Sequence, residues 1–260
     1  VQEPLAKLAV WKFTSCDGCQ LSLLDCEEEL MSLCQIVQIA SFAELTKQKV
    51  EGPYDISLIE GSITTKRDEE LIAEVRKNSH LLVTIGACAT SGGIQALRNF
   101  ANVEEYKKIV YATPEYINTL STSTAISQHV PVDFELQGCP INKYQLLDVI
   151  KSLLMKKKPS ISSHSVCTEC KMKGNICVSV AHGIPCLGPV THAGCGALCP
   201  SYQRGCYGCF GPKEEATPLA LTRWWEQKLY TEPQEIQRLL SNFNCAAEEF
   251  KKAREHYDRG

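Results

Sequence analysis

The chain has 260 residues, 44% of them hydrophobic and 22% charged, with a formal net charge of -3; this composition builds one large domain, or a medium domain with a small one, and excludes disorder. The slight acidity leaves no electrostatic footprint for nucleic acid. No apolar run approaches a membrane span and the N-terminus lacks the basic, apolar and small-residue order of a secretory signal, so a soluble chain with no membrane partner is expected.

Residues 8–13 are a short β-favouring run ending in the turn-like Thr14-Ser15-Cys16-Asp17-Gly18, after which Leu21, Leu24, Cys26, Leu30 and Cys34 fall near helical spacing. Residues 36–40 and 56–60 read as strands, and 68–77 as a charged helix with Leu71, Ile72 and Val75 turned inward. The nearly continuous apolar run 80–86 reads as a buried parallel strand. A glycine-rich turn is expected over 88–93, a strand over 130–136 and an amphipathic helix over 142–155. This alternation predicts an α/β, doubly wound parallel sheet of flavodoxin-like type over 1–158. The lysine-, proline- and serine-containing stretch 156–165 marks a boundary. Beyond it, 159–212 is too irregular for a conventional core and needs metal to organise it, and 213–260 is a helical tail. In that tail Ile236, Leu240, Phe243, Ala247 and Phe250 form an apolar stripe expected to pack on the chain's own surface.

Cysteine is the outlier, with 15 residues, eight of them between Cys167 and Cys209. An odd number in a chain large enough to fold without staples argues for metal rather than a disulfide framework. Cys16 and Cys19 form a C-x-x-C after the first strand, at a helix mouth where amide N–H groups favour thiolate. Cys88, in Gly86-Ala87-Cys88-Ala89-Thr90-Ser91-Gly92-Gly93, and Cys139, in Gly138-Cys139-Pro140, also follow strands. The carboxyl ends of parallel strands share one edge, so these four cysteines can converge on the crevice where such sheets bind ligands. Gly86 to Gly93 is no phosphate loop, because it lacks the Gly-Lys-Ser/Thr ending. The later cysteines fall into two sets of four: Cys167, Cys170, Cys177 and Cys186, then Cys195, Cys199, Cys206 and Cys209. Four thiolates suit either tetrahedral zinc or a [4Fe-4S] cluster, and spacing alone leaves both open. Without a basic-aromatic surface to suggest a zinc binding module, iron-sulfur is the favoured reading.

These motifs, with Glu60-Gly61-Ser62, Cys186-Leu187-Gly188-Pro189-Val190-Thr191 and Gly205-Cys206-Tyr207-Gly208-Cys209, resemble the small subunit of [NiFe] hydrogenases over about residues 8–212. The likeness is to the soluble, cytoplasmic, cofactor-linked group that includes NADP-linked hydrogenases and sulfhydrogenases, which implies a cytoplasmic chain. It implies three [4Fe-4S] clusters: a proximal one on Cys16, Cys19, Cys88 and Cys139, a medial one on Cys195, Cys199, Cys206 and Cys209, and a distal one on Cys167, Cys170, Cys177 and Cys186. Many relatives have proline where Cys199 stands and hold a three-iron centre, and periplasmic relatives have histidine where Cys167 stands. Thiolate at both positions implies four-iron clusters and a lower distal potential. The resemblance further implies a large subunit with the NiFe(CN)2(CO) centre, a partner subunit with flavin and NADP, and a further iron-sulfur subunit. Catalysis of hydrogen splitting then lies outside this chain. An F420- or NADH-linked hydrogenase is the alternative, and a zinc-stabilised binding module the remoter one. Gln20 departs from the family's glutamate and puts a proton path through that position in doubt. Relatives in complex I share the sheet but use adjacent cysteines and lack the eight-cysteine segment.

Twelve ligands leave Cys26, Cys34 and Cys245, which are expected to be plain buried thiols. His164, His182 and His192 are assigned to packing or hydrogen bonding. Glu60, at a strand end, is a candidate buried acid beside the proximal set.

Overall fold

In the computed structural model, which describes residues 5–258, Leu8, Val10, Ile56, Leu58, Val83 and Ile85 are buried on one face of a sheet, and Ile59 and Leu82 on the other. Burial on both faces is what a parallel sheet covered by helices demands, and each large apolar side chain so buried contributes about 1.5–3 kcal/mol. The strands are β1 (Ala6–Lys12), β2 (Val37–Phe42), β3 (Tyr54–Glu60), β4 (Ser79–Ile85) and β5 (Phe134–Leu136). All neighbours are parallel, in the order β2-β1-β3-β4-β5. This is the flavodoxin-like order, with its switch point between β1 and β3.

The α-helices described alongside the sheet are α1 (Gly18–Leu24), α2 (Glu28–Leu33), α3 (Lys66–Lys77), α4 (Gly86–Ser91), α5 (Val103–Val110) and α6 (Lys143–Leu154). The first four correct the expectation from sequence. The single periodic run from Leu21 to Cys34 is two helices, broken at Asp25-Cys26-Glu27, where Glu27 has φ +44°. The break turns Cys26 and Leu30 into the core and leaves Leu21 and Cys34 exposed. Helix α3 starts two residues earlier than expected because of a capping box. The Thr65 hydroxyl accepts from the Asp68 N–H at 3.1 Å, and the Asp68 carboxylate accepts from the Thr65 N–H at 2.9 Å. The expected turn at 88–93 begins instead as the helix α4, ended by Gly92 in the left-handed region.

The strand expected over 130–136 shrinks to Phe134–Leu136. Pro131 has no N–H for a ladder, and the Asp133 carboxylate takes the Leu82 N–H at 2.7 Å in place of a backbone carbonyl.

The segment after 165 contains the short helices α7 (Val166–Met172), α8 (Val178–His182) and α9 (Leu198–Ser201), and the tail contains α10 (Pro218–Trp224), α11 (Pro233–Leu240) and α12 (Glu248–Tyr257). Val166, Val178, Leu187 and Val190 share one buried cluster with Trp225, Ile236, Leu240 and Phe250. The cysteine-rich segment therefore acquires apolar burial from the tail. The stripe packs on the chain's own surface as expected, but on two helices separated by 241–247 rather than one. Among the described residues no helix is long and apolar enough to cross a membrane.

Candidate functional site

Four of the five strands, β1, β3, β4 and β5, each deliver one part of the first site to the same edge of the sheet. Cys16 and Cys19 follow β1, Glu60 ends β3, Cys88 lies in α4 after β4, and Cys139 follows β5. Gly86 makes the convergence possible. It has φ +86°, and a Cβ there would collide with Cys19 Sγ and stand 3.4 Å from the Gly138 carbonyl. Cys88 Sγ is similarly close to Gly93, at 2.7 Å from the position of a Cβ. Burial pushes the Cys139 thiol up to about 11, with Cys88, Cys16 and Glu60 adding to the effect. Burial also raises Cys19, followed by Glu60, with Cys88 and Cys139 contributing. Burial likewise raises Cys88, so neutral thiols are the stable form of Cys19, Cys88 and Cys139 without a metal.

Glu60 is 2% exposed. Its carboxylate accepts from the Cys19 N–H at 2.9 Å and from the Gln20 side-chain amide at 2.6 Å. Burial raises its pKa, and these two bonds oppose the rise. The Cys19 amide, expected to favour a thiolate, is therefore committed to Glu60. Gln95 completes the wall. Its amide donates to the Thr14 carbonyl and Ser62 hydroxyl, both at 2.8 Å, and its oxygen lies 3.7 Å from Cys88 Sγ.

The second set begins on α7, where Cys167 and Cys170 are three residues apart on one helical face. Cys177 caps α8 and Cys186 lies in the loop beyond it. A Cβ on Gly188 would stand 3.3 Å from Cys186 Sγ and 3.5 Å from Cys167 Sγ, which places both sulfurs over one glycine. Burial first, then Cys186, Cys170 and Cys177, push the Cys167 thiol up to about 11.

The third set, Cys195, Cys199, Cys206 and Cys209, lines a cavity of about 270 Å³ that also reaches Cys139. Burial and then Cys195, Cys139 and Cys199 push Cys209 up to about 12. Backbone N–H groups face the sulfurs: Cys206 N–H donates to Cys186 Sγ at 3.1 Å and Gly208 N–H to Cys206 Sγ at 3.4 Å. The first of these links the second set to the third, as the Cys209 and Cys139 pair links the third to the first. Set three therefore lies between the other two.

All 15 cysteines are free thiols. Among the described residues, no three His, Cys, Asp or Glu side chains are grouped to hold a single metal ion. Four thiols around a glycine-lined space, with N–H groups aimed at sulfur, fit an iron-sulfur cluster, whose thiolates bind separate iron atoms.

Two polar ties between these regions have no signal in spacing. Glu169, between Cys167 and Cys170, accepts from the N–H groups of Gly194 at 3.0 Å and Ala197 at 3.3 Å, joining α7 to the third set. Asn244 is the other, and a buried asparagine in a tail is invisible until its partners are known. Cys26 and Cys245 are buried as expected, but Cys34 is exposed, a correction that follows from the break between α1 and α2. The His192 ring bonds to the Ala193 carbonyl at 2.7 Å, whereas His164 and His182 are exposed.

Residues 16–153 match the family described as NADH ubiquinone oxidoreductase, 20 Kd subunit. The chain belongs to this family. The match begins after β1, covers β2 to β5 and nearly all of α6, includes Cys16, Cys19, Cys88 and Cys139, and stops before the eight-cysteine segment. Among relatives, sulfhydrogenase 2 subunit delta of Pyrococcus furiosus is 37% identical over 206 residues, which cover 79% of this chain and 86% of that one. One subunit of the vhu F420-non-reducing hydrogenase of Methanocaldococcus jannaschii is 31% identical over 243 residues, covering 82% of this chain and 84% of that one. A solved NAD+-reducing [NiFe]-hydrogenase in the H2-reduced state contains a chain of 27% identity and TM-score 0.56, with 61% of this chain and 96% of that one covered. The small-subunit resemblance read from the cysteine motifs is thus borne out at the level of the family.

Proposed function

We propose that this chain is the electron-transfer small subunit of a cytoplasmic [NiFe] hydrogenase. It relays electrons through three [4Fe-4S] clusters between a nickel-iron large subunit, where hydrogen is split, and a flavin and iron-sulfur partner that reduces NADP. Sulfur or polysulfide is a further acceptor. The observation that carries this reading is the line of three four-thiol sets in a chain of this family.

In this assignment Cys16, Cys19, Cys88 and Cys139 hold the proximal cluster at the sheet edge, within a domain of residues 1–158. Cys195, Cys199, Cys206 and Cys209 hold the medial cluster, and Cys167, Cys170, Cys177 and Cys186 the distal one, within a second domain of residues 159–260. When bound, the clusters supply one-electron carriers. The chain's own residues hold, space and desolvate them. The glycines admit the sulfurs closely, the N–H groups of Cys206 and Gly208 stabilise thiolate, and Glu60 locks the start of α1 beneath Cys19. Gln20, which donates to Glu60, has no carboxyl with which to pass a proton. The 27% identity to the NAD+-reducing enzyme supports NAD as the alternative acceptor.

The test is an anaerobic metal inventory of the complex that copurifies with the chain. Three four-iron clusters require about twelve irons per chain, with nickel near one per complex. Iron without nickel keeps the relay and rejects hydrogen chemistry, and zinc in place of iron overturns the reading.

A further inference from the structure

Asn244 lies in the stretch 241–247 between α11 and α12 and is 3% exposed. Its side chain is committed to partners far away in sequence. Nδ2 donates to the carbonyl oxygens of Gly208 at 2.8 Å and Cys209 at 3.1 Å. Oδ1 accepts from the Ser91 hydroxyl at 2.7 Å. Carbonyls only accept, so this is the one amide orientation that satisfies all three partners. Ser91 ends α4, three residues after Cys88, and shares its one hydroxyl proton between Asn244 Oδ1 and the Ala87 carbonyl, 2.9 Å away. A single buried amide therefore joins the helix that carries a proximal cysteine to the backbone of a medial one.

The same tail makes a second tie to the sheet side. The Arg254 guanidinium stacks on Phe100, 3.9 Å from the ring centroid, and its Nε donates to the Ser241 hydroxyl at 2.8 Å. Both ties bridge parts of the chain that bury separate cores, one around the sheet and one around the cysteine-rich segment. Between those cores the covalent path is the stretch 157–164, which forms no helix or strand and packs on the sheet side through Ile161, so it does not by itself hold the two cysteine sets at one interval. Noncovalent ties must do so.

We propose that Asn244 is a positioning residue that sets the interval between the proximal and medial centres, and that the C-terminal helices act as a clasp for electron passage. The inference rests on the cluster assignment above. Passage of one electron between two held centres depends steeply on their separation, so a small drift of the Gly208-Cys209 loop away from α4 slows the relay without touching any ligand. Asn244→Ala removes the tie. Asn244→Asp keeps the shape and the acceptor for Ser91, but sets a carboxylate oxygen against two carbonyls. Ser91→Ala cuts the α4 half alone and is the milder variant should the others fold poorly.

The experiment uses the whole complex. Iron content and the EPR signal of each centre are measured first, then the magnetic splitting between the reduced proximal and medial centres. Hydrogen-driven reduction of the terminal acceptor is compared with H2/D2 isotope exchange, which needs no electron to leave the large subunit. Expected are full iron, unchanged exchange, altered splitting and a severalfold fall in electron output in Asn244→Ala. A smaller fall is expected in Ser91→Ala. Unchanged splitting and output with full iron overturn the proposal, and so does loss of the medial iron, which makes Asn244 a retention residue instead. Absence of four-iron signals from the unsubstituted complex is a separate failure, that of the cluster assignment itself.

Discussion

Cys199 lines the same cavity as Cys195, Cys206 and Cys209, and in the proposed cluster assignment the identity of this one side chain decides what kind of centre is held there. Cys199→Pro removes a thiolate and nothing else that the set needs. The expected outcome is a three-iron EPR signal at higher potential in the medial position; an unchanged four-iron signal would show that Cys199 is not a ligand. Cys245 allows a test free of metal. It is fully buried, and burial pushes its thiol up to about 11 from an ordinary 9.0. The folded chain binds this proton more tightly than the unfolded chain, so stability is full below the unfolded value and is lost as pH rises from 9.0 towards about 11. The loss amounts to about 1–3 kcal/mol. Denaturant unfolding against pH should show a shallower alkaline decline in Cys245→Ala than in the parent, and equal slopes would mean the thiol is not perturbed.

At the scale of elements, α4 decides the proximal set. Its first residue, Gly86, has φ +86° and meets Cys19 Sγ, so it accepts no side chain. Gly86→Ala combines backbone strain of about 1–2 kcal/mol with displacement of Cys19. The proximal EPR signal should vanish while the medial and distal signals persist, and retention of all three would overturn the close approach. Thr65→Ala is the matching control. It removes the hydroxyl that caps α3, costs about 1 kcal/mol in unfolding experiments, and leaves every cluster signal in place. Elements are also where sequence pattern and structure part company. Leu21 and Cys34 continue a helical spacing that the break at Asp25-Cys26-Glu27 interrupts, and Gly86 to Gly93 has the composition of a turn. Its glycines are instead a start and an end: Gly86 opens the helix against Cys19, and Gly92 closes it.

Across the whole molecule the charge is uneven. The chain carries -3 overall, yet from Cys170 to Lys213 there is no aspartate or glutamate, while Lys171, Lys173, Arg204 and Lys213 are basic. This stretch includes the proposed distal end of the relay, where Cys177 is exposed. Electron delivery to an anionic carrier should therefore slow as salt rises, whereas delivery to a neutral dye should not, because steering between opposite charges is screened. Equal salt dependence for both would show that this basic stretch plays no part in carrier encounter.

The flavodoxin-like sheet was legible from residues alone, and the grouping of twelve thiols in fours is a reading of spacing and family likeness that the cluster proposal carries forward. Strand burial and thiol chemistry are written locally, in runs such as 80–86 and in pairs such as Cys16 and Cys19, and they need no knowledge of distant partners. Tertiary structure decided the rest. Whether Cys34 is buried, where the strand before Leu136 begins, and which side chains tie one cysteine set to the next all depend on contacts between residues far apart in the chain. Glu169 reaching Gly194 and Asn244 reaching Ser91 are ordinary polar residues in sequence. They acquire their roles because a buried polar atom must find a partner, and only the folded chain determines which partner is within reach.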